Sequence, residues 1–184
     1  MKQNRTILVV FLLLIVVASV CRVMGFALQI AMAIFAGAII SNKKLSFALP
    51  LLSMFVSDLL YEVLFIYGYA PYGGFYVGQL TNYILLGLVT FVGFWVKGLN
   101  WGRILVGSVA GTTIYFILSN FFVWFSGTGG YVRPQTFDGM IMTYVDAIPF
   151  YRNALVSTLV FSVILFGGYY LLQRFYLQRK QQFA

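Results

Sequence analysis

Apolar residues run along this chain in six stretches separated by short polar breaks. The pattern predicts helices over 6–22, 24–40, 45–67, 79–96, 104–125 and 151–173. A helix needs about 20 mostly apolar residues to cross the hydrocarbon core of a bilayer, and all six are near that length. The breaks are marked by Cys21-Arg22, by Ser41-Asn42-Lys43-Lys44, by the uncharged, turn-rich run from Gly68 to Gly74, and by the segment from Lys97 to Arg103. The longest break, 126–149, opens with Gly127-Thr-Gly-Gly130, and its second half, 136–148, has the pattern of an amphipathic surface helix. The glycine run lacks a following Lys-Ser/Thr, so it makes a poor phosphate cradle.

Composition narrows the class. The 184 residues are 61% hydrophobic and 9% charged, whereas about a quarter of a soluble domain is charged. The expected fold is therefore all-α: one polytopic membrane domain over 1–184. With no His and one Cys, zinc sites, His-based triads and disulfide frameworks lack their parts, so no metal and no cofactor is expected. A net charge of +8 would suit nucleic acid in a soluble protein, but here the basic residues sit at the ends of apolar stretches. If the N-terminus is inside, Lys2, Arg5, Lys43, Lys44, Lys97, Arg103, Arg174, Arg179 and Lys180 are inside, and Arg22, Arg133 and Arg152 are outside. The positive-inside rule then places both ends in the cytoplasm. The expected surroundings are a lipid bilayer and not nucleic acid. The first stretch also has the basic start and short apolar core of a signal peptide. A lipoprotein-type cleavage site wants a small residue before the Cys, however, and Val20 precedes Cys21 with Arg22 after it. An uncleaved helix with Arg22 snorkelling outward is expected.

Helix direction then places the polar residues in depth. Asp58 and Glu62 are four apart, on one face of the third helix toward its outer end. A carboxylate deep in a membrane helix costs about 2.5–3.5 kcal/mol on insertion scales, so Asp58 should face protein or water. Two carboxylates one turn apart also call for a nearby cation, and Arg22 and Arg152 are the candidates. Asn120, Gln79, Thr81, Asn82 and Asn153 fall in the same outer half. Such a cluster either binds a ligand or fixes helix register. Asn120 by itself suits a helix–helix hydrogen bond. Ala27/Ala31 and Ala33/Gly37 are four-residue pairs of small residues that permit close helix approach, and Gly107, Gly111, Gly167 and Gly168 are read the same way.

Three stretches carry a resemblance: Arg22 to Ile40, Phe47-Ala-Leu-Pro-Leu-Leu-Ser-Met-Phe-Val-Ser-Asp58, and Ser119-Asn-Phe-Phe-Val-Trp-Phe-Ser126 continuing through Tyr144 to Asn153. They resemble an uncharacterised family of small bacterial membrane proteins. That family in turn resembles the substrate-binding S components of energy-coupling-factor transporters. The resemblance implies a six-helix S-component-like bundle in the bacterial cytoplasmic membrane, with a pocket opening outward. It matches Asp58, Asn120, Trp124, Pro149, Arg152 and Asn153 to the family pattern. The chain departs from that pattern at Val23-Met-Gly-Phe-Ala-Leu-Gln29, where a His-Pro-Pro-Asn-Phe-like run is expected, and at Ser157, where an acidic residue is expected. The resemblance also implies docking on a transmembrane coupling subunit with ATPases. Ala27, Ala31, Ala33 and Gly37 suit that job and equally suit internal packing.

The expected function is capture of a small solute between the third, fifth and sixth helices, under 126–149 as a lid, for a separate energising module. Arg22, Arg133 and Arg152 would attract an anionic group, while Asp58, Glu62 and Asn120 would orient it. Trp124 and Asn153 join the ligand-binding set through the resemblance. The rival is a non-catalytic accessory subunit of a larger membrane complex. An intramembrane enzyme using Asp58 and Glu62 as acid and base is a weaker third reading, because no nucleophile with an adjacent base is visible.

Overall fold

The computed structural model describes residues 2–25, 28–127 and 133–182, with side chains over 10–25, 28–127 and 133–175. It contains six helices: α1 (Lys2–Val23), α2 (Leu28–Ile39), α3 (Lys43–Ile66), α4 (Gln79–Val96), α5 (Trp101–Ser126) and α6 (Phe137–Gln182). Four are long and apolar enough to cross a membrane: α3, α4, α5, and α6 over Phe137–Phe175. The apolar parts of the other two are shorter, Val10–Val23 and Leu28–Ile39.

Local chemistry sets the boundaries. Asn42 caps α3 by accepting from the Lys44 amide at 3.0 Å, and Asn100 caps α5 by accepting from the Arg103 amide at 3.0 Å. Each is an N-terminal cap whose side chain replaces a missing backbone acceptor. Gly127 ends α5 with a left-handed φ of 64°, the conformation glycine adopts without a Cβ penalty. Pro50 lies inside α3.

α2 is the centre of the bundle and packs on all five other helices. Every residue from Leu28 to Gly37 is buried, as expected for a helix that is apolar all round. At 12 residues it is about 18 Å long, short of a roughly 30 Å hydrocarbon core. α2 meets α4 at Gly37 and Gly93, where a Cβ on either glycine would strike the backbone of the facing helix. Ala31 and Ala33 are fully enclosed as well. Ala31, Ala33 and Gly37 therefore face the chain's own helices, in keeping with the internal packing that was one of the two roles expected of them; Ala27 lies outside the described residues. Gly107 packs on Val96, and Gly111 lies where a Cβ would sit 3.0 Å from Ile34 Cδ1. Gly167 and Gly168 pack on nothing closely: the nearest atom to a Cβ at Gly167 is 3.9 Å away, and none lies within 4 Å at Gly168.

Polar threads join the helices. Ser19 Oγ donates to the Ser53 carbonyl at 2.8 Å, Gln29 Nε2 to the Ala18 carbonyl at 3.0 Å, and Ser108 and Ser162 share a hydrogen bond of 2.9 Å. Phe35 of α2 meets Phe166 of α6 edge-on at 5.2 Å.

The largest departure from the sequence pattern is α6, one helix of 46 residues that runs through Pro149. The pattern placed a separate surface helix before Pro149 and a span after it. Proline removes one backbone donor and crowds the preceding turn, but tertiary packing can carry the helix through. Gly139 lies so close to Pro134 that a Cβ there would strike the Pro134 carbonyl, and Thr143 Oγ1 donates to the Gly139 carbonyl at 2.9 Å. The expected lid 126–149 is thus partly the opening turns of α6, and residues 128–132 lie outside the described residues.

Candidate functional site

α1, α3 and α5 finish, and α4 and α6 begin, at the end of the bundle that carries the 67–78 connection, here called the loop end. The opposite end carries Lys43, Lys44, Lys97 and Arg103. The site is built at the loop end around Asp58.

Asp58 is fully buried. Its Oδ1 is paired with Arg22 Nη1 from α1. Its Oδ2 accepts from Gln79 Nε2 at 2.6 Å and from the Tyr83 hydroxyl at 2.5 Å. Gln79 and Tyr83 are one turn apart on α4, so a single helix face supplies both donors. Arg22 Nη1 also donates to Ser57 Oγ at 2.5 Å and to the Met54 carbonyl at 3.4 Å, and the guanidinium lies 5.5 Å from the centre of the Tyr61 ring. A buried charge of this kind is tolerable only when it is paired and its remaining lone pairs are satisfied. Here both carboxylate oxygens are.

The network continues outward from Gln79. Asn82 Nδ2 donates to Gln79 Oε1 at 2.9 Å and to the Tyr76 hydroxyl at 2.7 Å. The Tyr115 hydroxyl donates to Asn82 Oδ1 at 3.0 Å. One chain of bonds therefore links α1, α3, α4 and α5. Partial burial raises the Tyr76 phenol above its ordinary 10.0, with Arg22 pulling the other way, so it remains a neutral hydroxyl at physiological pH.

Glu62 has a different task from Asp58. Its Oε2 accepts from the Gly74 amide at 3.0 Å and the Phe75 amide at 3.4 Å, which pins the 67–78 connection to α3. Gly74 lies so close that a Cβ there would strike the Asp58 carbonyl. The connection is thus held at both carboxylate positions, once by a side chain and once by backbone contact.

Beside this network lies a cavity of two lobes, about 780 Å³ and about 510 Å³, with Arg22, Tyr76, Asn82 and Ser119 in the walls of both. The larger lobe lies between the 67–78 connection, α4 and α5, under Tyr72 and Tyr76. The smaller reaches inward to Gln29 and Ile30 of α2, and to Asn120 and Tyr151 of α5 and α6. These volumes fall within the 300–1,000 Å³ common for small-molecule sites.

The residues expected from the sequence are distributed unevenly around it. Arg22 and Asn120 line the cavity, and Asp58 stands behind Arg22. Asn120 Nδ2 donates to the Phe116 carbonyl at 2.8 Å within its own helix. Trp124 Nε1 donates to the Pro134 carbonyl at 3.0 Å and ties α5 to the segment before α6. Arg133 pairs with Asp146 at 2.6 Å, both partly exposed, a kind of pair that contributes about 0–1 kcal/mol. Arg152 and Asn153 are exposed and line neither lobe. The cation beside Asp58 is Arg22 and not Arg152, and the three arginines do not converge.

Sequence reasoning underrated the tyrosines. Tyr83, Tyr76, Tyr61 and Tyr115 supply a hydroxyl or a ring to the network, although aromatic residues near span ends read first as interfacial belts. One signal was present: Tyr83 follows Gln79 by four residues and so shares its face.

No curated protein and no solved structure matches the chain. The profile of a family of unknown function matches residues 2–181, so the chain belongs to that family, DUF6580.

Proposed function

We propose that this chain is a membrane-embedded, non-catalytic solute-binding subunit resembling the S components of energy-coupling-factor transporters, and that it relies on a separate energising module. The observation that carries this reading is the two-lobed cavity at the loop end, walled by Arg22, Tyr76, Asn82 and Asn120. A preformed concave site with a few convergent polar groups among aromatic walls is the usual form of a small-molecule site. The S-component likeness rests on the three stretches of sequence given above.

In this reading all six helices lie in the bacterial cytoplasmic membrane, with both ends in the cytoplasm and the loop end outside. The basic residues at the opposite end favour that orientation. Four helices reach spanning length, and α2, enclosed by the others, is sheltered from lipid. The energising partner is a transmembrane coupling subunit with ATPases, docked on some surface other than the buried stripe of α2. The accessory-subunit reading expects a filled loop end, and the cavity weighs against it.

The test is a thermal-shift screen of the purified chain against vitamins, metal ions and nucleobase-like compounds. A true ligand at 100 times its Kd stabilises by about 2.7 kcal/mol. Asn120→Leu should keep the melting temperature of the free protein and weaken the hit at least tenfold. If no compound shifts the protein, and Asn120→Leu cells take up every candidate solute as wild type does, the reading fails.

A further inference from the structure

We propose that the cavity takes an electrically neutral, ring-bearing solute that offers a carbonyl-type acceptor to Arg22, and not the anion that three outer arginines suggest. This deepens the solute-binding reading and rests on it.

Charge balance comes first. Among the described residues, Arg22 is the one charged side chain in the wall of either lobe. Its charge is already matched by Asp58. Of the other two outer arginines, Arg133 is held by Asp146 and Arg152 lines neither lobe. An anion would therefore enter a site whose charges already cancel, and it would leave water without gaining a cation of its own. A cation would meet the same deficit.

Donor geometry comes second. Among the described residues, all the side-chain hydrogen bonds of Arg22 leave from Nη1, toward Asp58, Ser57 and the Met54 carbonyl. Its Nε and Nη2 hydrogens have no partner among the described residues, on a side chain that is 21% exposed and lines both lobes. Asn120 donates one hydrogen to Phe116, which leaves its Oδ1 and a second hydrogen without a partner among the described residues. The wall thus offers a charged donor fixed in place by its counter-ion, and the smaller lobe adds an amide. A neutral carbonyl accepts a charge-assisted bond from such a donor without bringing a charge of its own.

Shape comes third. Phe116 and Tyr151 lie 4.7 Å apart, tilted at 39°, along the smaller lobe, and Tyr76 and Phe122 wall the larger one. Aromatic walls favour a flat ring through offset or edge contacts.

The experiment uses three probes of one shape: 2-naphthamide, 2-naphthoate and 2-naphthamidine, which are neutral, anionic and cationic. Each is titrated into the purified full chain in detergent and followed by tyrosine and tryptophan fluorescence. The expected order has 2-naphthamide tighter than either charged probe by at least tenfold. In Asp58→Asn, where Arg22 loses its counter-ion, 2-naphthoate should gain at least tenfold and the amide should change little. If Asp58→Asn does not purify, the wild-type order alone decides. A wild-type chain that binds 2-naphthoate or 2-naphthamidine as tightly as the amide overturns the neutral-solute inference and leaves the binding-subunit reading intact. Failure of all three probes to bind at millimolar concentration overturns the ring-and-carbonyl inference, and the separate library screen then decides the broader reading. A variant whose affinity for 2-naphthoate stays flat also overturns it.

Discussion

Arg22→Ala should destabilise the purified chain by about 3–5 kcal/mol, the usual effect of removing one partner from a buried ion pair. In a chain of this size that lowers the melting temperature by on the order of 10 °C. The reason is the residue left behind. Asp58 has no exposed surface, and Gln79 and Tyr83 satisfy only its Oδ2. Without Arg22, Oδ1 keeps no partner and the carboxylate keeps no counter-charge. Arg22→Met combined with Asp58→Leu should recover only part of the loss: replacing a buried pair with apolar residues is often close to neutral, but Gln79 and Tyr83 then lose their acceptor. Arg152→Ala is the control and should stay within about 0.5 kcal/mol of wild type, as surface changes do. The check is the melting temperature in one detergent. An Arg22→Ala protein that melts with wild type would show that the pair does not hold the loop end together.

The second large effect is expected at the crossing of α2 and α4. Gly93→Ala puts a Cβ against the Ile34 carbonyl and within 2.9 Å of Gly37 Cα. Both obstacles are backbone, so no side chain can swing aside and the helices must separate. Overpacking of a well-packed core costs about 1–3 kcal/mol, and Gly93→Leu should exceed that and prevent accumulation of folded protein. Gly168→Ala makes the contrast. Among the described residues, nothing beyond its own helix backbone lies within 4 Å of its Cβ position, and alanine is the better helix former by about 0.8–1.0 kcal/mol, so it should be neutral or mildly stabilising. Equal melting temperatures for Gly93→Ala and Gly168→Ala would remove the crossing from the account.

These two sites show what could be read from residues alone. The spacing of Asp58 and Glu62 correctly placed both on one helix face near one end of the bundle. It could not separate their tasks, because those depend on Gly74 and Phe75, which reach Glu62 only when the 67–78 connection folds back. The need for a cation beside Asp58 was also legible. The choice of Arg22 over Arg152 was not, since both fall at the same end and only tertiary packing sets α1 against α3. The small residues of α2 announced close approach, but no pattern within one helix says whether the approaching helix is the chain's own. Gly93, their actual partner, sits in a stretch that gives no comparable signal. Pro149 misled for a local reason: it reads as a boundary, yet α6 continues through it. The cavity was the least legible feature, because its walls come from all six helices and from the 67–78 connection, and no single stretch of sequence brings them together.

The central claim is that a solute reaches the loop-end cavity from outside the cell. Thiol labelling tests it most directly, using Ser119→Cys, whose position borders both lobes, in a Cys21→Ser background that removes the one native cysteine. A membrane-impermeant maleimide applied to intact cells should label Ser119→Cys, whereas Lys97→Cys at the opposite end should label only after permeabilisation. Labelling of Lys97→Cys from outside, with Ser119→Cys reacting only once the membrane is opened, would contradict the account.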